Sequence, residues 1–279
     1  MTEQQYKIMR ANPLPTKTLA EIPYRNKTLT VAFPAFGPNY FSKNIKNMQG
    51  VYFHPKTRKK ISFREPTTAE SIAVASFAFK NMKRAPEFVY VKKEIFNPKW
   101  LQIGRILKTS EGIYVNPPKS EKGEVLTDDR KLKEYLTQKA KKNNIYLMEN
   151  DFAFAPYESF KHDVQDSGDF VEGGLARALE YTKEKKAKML EAIVNPKVFN
   201  LGVNVFGFEQ VKEPTITVAT LSSNKCSDDE WLDEGLDVGG YGWDINEGCV
   251  FGVLSQAAYL FLNIYVTNIF KSKSHSNFK

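Results

Sequence analysis

Apolar and polar positions alternate along this chain in two rhythms, one with the period of strands and one with the period of helices. Residues 1–28 carry Pro13, Pro15 and Pro23, which oppose regular structure, so the stretch reads as an irregular lead-in. Leu29–Phe33 reads as a short apolar strand closed by Pro34 and Gly37-Pro38. Val51–His54 and Ile61–Arg64 read as the two arms of a hairpin. Helical spacing then sets in at Thr67, with Ile72, Ser76, Phe79 and Met82 on one face. Thr67 and Glu70 stand at capping-box spacing after Pro66. Lys80, Lys83 and Arg84 suit the negative end of the helix dipole, and Pro86 ends it. Phe88–Val91 reads as a strand, and Trp100–Lys108 with Ile113–Val115 as a hairpin turning at Ser110-Glu111-Gly112.

The second half begins with a predicted helix over 128–142, its buried face made by Leu132, Tyr135, Leu136 and Ala140. Asn143-Asn144 suit its end, and Ile145–Met148 follows as a buried strand. Glu149–Gly168 shows neither period and reads as a long irregular segment. Asp169 and Glu172 have capping-box-like spacing, and a helical stripe runs from Leu175 through Leu179, Thr182, Lys186, Met189 and Leu190 to Ile193. Leu201–Phe208 and Thr215–Leu221 read as strands. Helices and strands interleave throughout, which predicts a mixed α+β or α/β fold around a mainly antiparallel or mixed sheet. One integrated domain over 1–279 is the expected organisation. Pro117-Pro118 and the polar run to Glu124 mark where a basic part, 1–118, would divide from a neutral-to-acidic part, 125–279.

Composition narrows the class. Of 279 residues, 42% are hydrophobic and 26% charged, which is the balance of a folded chain with its own core. Two cysteines, Cys226 and Cys249, exclude a disulfide scaffold and point to a reducing, cytoplasmic setting. The polar N-terminus lacks the apolar core of a secretory signal. His54, His162 and His275 are scattered without zinc-ligand spacing, so the ions left open are Mg²⁺ and Ca²⁺, which take oxygen ligands. Charge is distributed unevenly: residues 1–120 hold 21 Lys and Arg against 7 Asp and Glu, residues 121–220 hold 15 against 17, and the remainder 4 against 8. A basic N-terminal block is the electrostatic footprint of a polyanion binder. Pairing with the acidic remainder inside one fold would produce the same pattern.

Four segments carry candidate chemistry. The first is Glu149–Glu172, where Asp151, Glu158, His162, Asp163 and Asp166 are the candidate catalytic groups. Asp163, Asp166 and Asp169 recur every third residue, a spacing that on a helix or tight turn would gather carboxylates for a divalent ion. Helix capping and solvation explain the same residues without chemistry. The second is the basic hairpin tip, Lys56, Arg58, Lys59 and Lys60 with Arg64, flanked by Tyr52, Phe53 and Phe63. Its cations suit phosphates and its aromatics suit unpaired bases. Alternation puts Tyr52 and Phe53 on opposite faces, so only one of them is available to stack. The third is the acidic run Asp228–Gly248, in which Asp244–Gly248 resembles the start of a calcium loop but lacks EF-hand spacing. The fourth is Cys249–Phe270, 22 residues without a charge and followed by lysines, whose length permits a C-terminal membrane anchor. Its Ser, Gln, Asn and Thr residues favour a buried strand and helix instead.

No Walker-type phosphate loop, Gly-x-Gly-x-x-Gly or Gly-x-Ser-x-Gly occurs. The leading expectation is therefore a nucleic-acid-associated protein, binding nucleic acid or another polyanion through its basic N-terminal part. A metal-assisted hydrolase, a nuclease included, using the 149–172 carboxylates with Mg²⁺ or Ca²⁺ is the alternative. A structural or interaction protein without catalysis is the third, and oligomeric state stays open.

Overall fold

The computed structural model describes residues 18–81, 89–96, 99–120, 123–137, 144–194, 199–225, 234–241 and 246–255. Strand β1 (Thr18–Tyr24) turns back on β2 (Lys27–Phe33). Helix α1 (Phe41–Met48) leads to the short strands β3 (Tyr52–Phe53), β4 (Lys60–Ile61) and β5 (Phe63–Arg64). Helix α2 (Thr68–Asn81) is followed by a π-helical turn at Val91–Phe96, then β6 (Trp100–Lys108) and β7 (Gly112–Val115). Helix α3 (Asp129–Thr137), β8 (Tyr146–Leu147), β9 (Ala153–Pro156) and β10 (Asp163–Gln165) come next. Helices α4 (Ser167–Glu172), α5 (Gly174–Glu180) and α6 (Lys188–Ile193) precede β11 (Val203–Phe206), β12 (Thr215–Lys225), β13 (Glu234–Gly239), β14 (Gly248–Cys249) and β15 (Val253–Leu254).

The fold is mixed α/β, built on mostly antiparallel strands. The large sheet runs β10-β11-β13-β12-β6-β7-β9-β8, with β14 beside β6. Its parallel pairs are β11 with β13 and β14 with β6. A second sheet runs β1-β2-β15-β5, and β3 pairs with β4. The large sheet thus draws strands from both sides of the Pro117–Glu124 run.

Helix α2 fills the main core. Its sequence is rich in Ala and Ser, which let it approach β1, β6, α5 and α6 closely, and almost every residue on it is buried. The expected single apolar face is therefore an all-round buried surface, the mark of a central helix. Thr67 and Glu70 form the predicted reciprocal cap: Thr67 Oγ1 accepts from the Glu70 amide at 3.3 Å and Glu70 Oε2 accepts from the Thr67 amide at 3.0 Å.

Several expectations are corrected. The lead-in up to residue 28 contains all of β1. Pro23 is tolerated there because β1 is an edge strand and Pro23 lies one pair beyond Tyr24–Lys27, which closes the turn; at that place its missing amide points away from the partner strand. The stretch read as a strand at Phe88–Val91 is helical from residue 89, because Val91, Ile95 and Phe96 continue it at helical spacing and bury together. The segment Glu149–Gly168 is not structureless: Phe152–Pro156 is buried on both faces, so β9 shows no alternation to read. Asp166, not Asp169, caps α4, accepting from the Asp169 amide at 2.9 Å. The long stripe from Leu175 breaks at Tyr181, which adopts φ 53°, and Lys186 falls between two helices rather than within one. The first residues of the uncharged C-terminal run lie in β14 and β15; residues 256–270 fall outside the described residues. No described helix is long and apolar enough to cross a membrane.

Two local devices set the geometry that follows. β6 carries one residue more than β12 between Gln102 and Gly104, a bulge that keeps Leu101, Ile103 and Ile106 in the main core while turning Arg105 out of it. Gly104 is required there because a Cβ would strike the Thr68 hydroxyl and press on its backbone. Glu180, at the end of α5, reaches across the break to accept the Met189 and Leu190 amides at 2.8 and 3.0 Å, capping α6.

Both devices are testable. Gly104→Ala is expected to lower unfolding stability by about 2–4 kcal/mol, measured by denaturant titration; unchanged stability would show that α2 and β6 have room to part. Burial raises the Glu180 carboxyl to about 7, above its ordinary 4.5, so the folded protein holds this proton more tightly than the unfolded chain. Stability should accordingly fall as pH rises from about 4.5 to about 7, then level off. Glu180→Gln keeps an acceptor for the cap and removes the titration. It should flatten this dependence and stabilise the protein at pH 8 by on the order of 1–3 kcal/mol.

Candidate functional site

The N-terminus of α2 is the meeting point of four distant segments. Asp151, in the turn between β8 and β9, accepts from Thr67 Oγ1 at 2.8 Å and from Tyr24 OH at 3.4 Å. Its other carboxylate oxygen takes Arg25 Nη1 at 2.7 Å. Asn116, at the end of β7, accepts the Thr68 amide at 3.1 Å and the Thr68 hydroxyl at 3.0 Å, and donates to the Asp151 carbonyl at 2.9 Å. Glu70 is clamped by both terminal nitrogens of Arg64 at 2.7 Å, with Lys27 at 3.8 Å. Arg25 also lies over the rings of Tyr24 and Tyr181, at 4.7 and 5.0 Å. Burial, then the charge of Asp151, pushes the Tyr24 phenol up, so it remains a donor. The hydrogen bonds to Glu70 hold the Arg64 guanidinium firmly protonated.

Backbone strain collects here. Arg25, Asn116, Asn150 and Asp151 all adopt left-handed conformations, at φ 52°, 48°, 58° and 60°. Asn and Asp tolerate this region better than other side chains, and such outliers persist only where the surroundings hold them in place.

This hub forms one wall of a cleft of about 700 Å³ lined by Glu65, Pro66, Thr67, Arg105, Asn116 and Lys119 on one side and Met148–Asn150 and Phe152 on the other, with Pro117 and Pro118 between. Glu65 lies 3.1 Å from Arg105 Nε and 3.4 Å from Lys119 Nζ. Met148 and Phe152 give the cleft a buried apolar floor, and Phe152 packs in turn against Tyr114.

The predicted residues are divided among several places. Asp151 is at the hub. Glu158 is exposed on a single 3-10 turn at Tyr157–Ser159. His162 lies against Phe160 and Tyr157, with its Nδ1 shielded and unpartnered. Asp163 begins β10, Asp166 caps α4, and Asp169 takes Lys161 Nζ at 2.6 Å. A strand followed by a helix cap does not gather Asp163, Asp166 and Asp169 as one turn would. Among the described residues, no three His, Cys, Asp or Glu side chains are arranged to hold a metal ion. Most of the candidate calcium loop lies outside the described residues.

The basic hairpin folds as read. His54 Nδ1 accepts the amides of Lys56 and Thr57 at 3.2 and 3.1 Å, and Arg58 takes φ 58° at the tip. Lys56, Arg58, Lys59 and Lys60 are exposed. Tyr52 is the buried member of the aromatic pair, forming an edge-to-face triangle with Phe36 and Phe63, and its hydroxyl donates to the Asn47 carbonyl of α1 at 2.6 Å. Asn44 fixes α1 to the large sheet, donating to Gln102 Oε1 on β6 at 2.9 Å and the Gly248 carbonyl on β14 at 2.8 Å. Arg64 is committed to Glu70 and drops away from the exposed set.

Thr67, Asn116, Glu65, Arg105 and Lys119 were not singled out as site residues from the sequence. A lone cation beside a glycine in the apolar strand Trp100–Lys108 was the available signal for Arg105. An Asn before Pro117-Pro118 was the signal for Asn116. No protein-family model, curated protein or solved structure matches the chain, so the site is interpreted from its own residues.

Asp151→Ala should lower stability by about 2 kcal/mol, because it strips partners from Arg25, Thr67 and Tyr24 and leaves a left-handed Ala. Asp151→Asn, which keeps hydrogen-bonding capacity and suits φ 60°, should cost less. Equal denaturation midpoints for Ala and the parent would show that the hub does not hold these segments together.

Proposed function

We propose that the protein binds nucleic acid through a cationic lobe made of α1 and the β3–β4 hairpin. The observation that carries this reading is a run of 43 residues, Ile22–Arg64, with nine Lys and Arg and no carboxylate. Three of the nine are engaged at the hub: Arg25 by Asp151, and Lys27 and Arg64 by Glu70. The other six, Lys43, Lys46, Lys56, Arg58, Lys59 and Lys60, are exposed on the lobe. Internal pairing with the acidic part of the chain therefore accounts for the hub cations better than for these six. Lys43 and Lys46 share a face of α1, and the Tyr52–Asn47 bond ties that helix to the hairpin.

Cations of this kind neutralise phosphates and release counter-ions, a sequence-independent source of affinity. Tyr52 lies in the core, which leaves Phe53 as the ring beside the tip available to stack. The reading therefore favours backbone contact over base recognition.

In a salt series with a short single-stranded oligonucleotide, Arg58→Glu with Lys59→Glu should weaken binding by about tenfold or more. The log–log salt slope should become shallower by about 2, close to one unit for each lost phosphate contact. Unaltered affinity and slope would remove the lobe from consideration.

A further inference from the structure

Arg105 is the least explained charge in the cleft. Its side chain is 21% exposed, and its Nε is shielded from solvent yet makes no hydrogen bond. Glu65 Oε1 stands 3.1 Å from that nitrogen, but off the N–H direction, so the contact is one of charge alone. No described residue accepts a hydrogen bond from any other nitrogen of this guanidinium. A guanidinium carries five N–H donors in a rigid fork, and its planar geometry suits a carboxylate or a phosphate. Buried donors are ordinarily satisfied. Here the fork lines an open cleft, its other close neighbour being the Phe41 ring at 5.5 Å.

Lys119 converges on the same carboxylate from the other side, at 3.4 Å. Two cations thus share one counter-ion, which leaves the pair with surplus positive charge. Thr67, in the same wall, opens α2, whose positive dipole end adds to that potential. Two groups oppose an anion. Glu149 is on the rim, exposed and screened by water. Asp151 lies behind Thr67 and is offset by Arg25. The floor is apolar, and the volume of about 700 Å³ falls within the range of small-molecule sites.

We propose that the cleft is a binding site for an organic phosphate monoester. Arg105 and Lys119 hold the phosphate, and the organic body rests over Met148, Phe152 and Pro117. A phosphate monoester is close to a dianion at neutral pH, which matches two cations where Glu65 supplies one negative charge. Glu65 is then the resident counter-ion that the ligand displaces. The site is separate from the cationic lobe, and neither reading depends on the other.

The test is calorimetric titration of the intact chain with adenosine monophosphate, inorganic phosphate and benzoate. Adenosine monophosphate should bind at least about tenfold more tightly than either of the others, since only it offers both dianion and body. Arg105→Gln should weaken it by about tenfold or more. Glu65→Gln should strengthen it several-fold by removing the competitor; because that variant leaves Arg105 in place, it decides the matter even if Arg105→Gln fails to fold. The Arg58→Glu, Lys59→Glu variant should bind adenosine monophosphate unchanged, which separates this site from the lobe. No heat with adenosine monophosphate at millimolar concentration overturns the proposal. So does benzoate binding equally well, or a loss of affinity in Glu65→Gln.

Discussion

The structure hangs on how the first turn of α2 is capped. A helix start leaves amides without partners, and a buried start must find them within the protein. Thr67 and Glu70 supply the local part of the answer. Asn116 and Asp151 supply the rest from 48 and 84 residues away. Because Asp151 is charged, it brings Arg25 with it, and the turn of the β1–β2 hairpin is fixed in the same step. One helix terminus therefore sets the relative positions of two sheets, the end of β7 and the β8–β9 turn.

The cleft is a by-product of that arrangement. Its wall is the capped helix start, its floor is the end of β8 and start of β9, and its remaining side is the Pro117-Pro118 exit from β7. The bulge in β6 adds Arg105, which the strand's regular alternation would have directed into the apolar core. Left-handed residues cluster around the hub, and their cost of order 1–3 kcal/mol each is offset by the bonds that converge there.

The cationic lobe follows a different logic. Its core is a small aromatic cluster, and its charge stays outside because no carboxylate lies within the segment to pair with it. Asn44 attaches it to the sheet through hydrogen bonds, with Val218 and Val250 extending its apolar contact. Charge distribution along the chain is thus translated into charge distribution on the surface for six of its residues. For Arg25, Lys27 and Arg64 it is translated into internal ion pairs.

Local signals determined much of this in advance. The helix start at Thr67, the β6–β7 hairpin, the basic hairpin and the start of α3 at Asp128 each depend on residues within a few positions of one another, so their spacing is visible in the chain. The mixed α/β class follows from the interleaving of the two periods. β9 and the helical turn at 91–96 were hidden because burial on both sides erases alternation and because a short apolar run fits either period. The cleft was hidden for a stronger reason. Asp151, Asn116, Glu65 and Arg105 acquire their meaning only from partners far along the chain, through a bulge and a helix cap that tertiary contact alone creates. The sequence determined which charges exist and which turns they occupy; the tertiary structure decided which are neutralised by a neighbour and which still face solvent or a cavity.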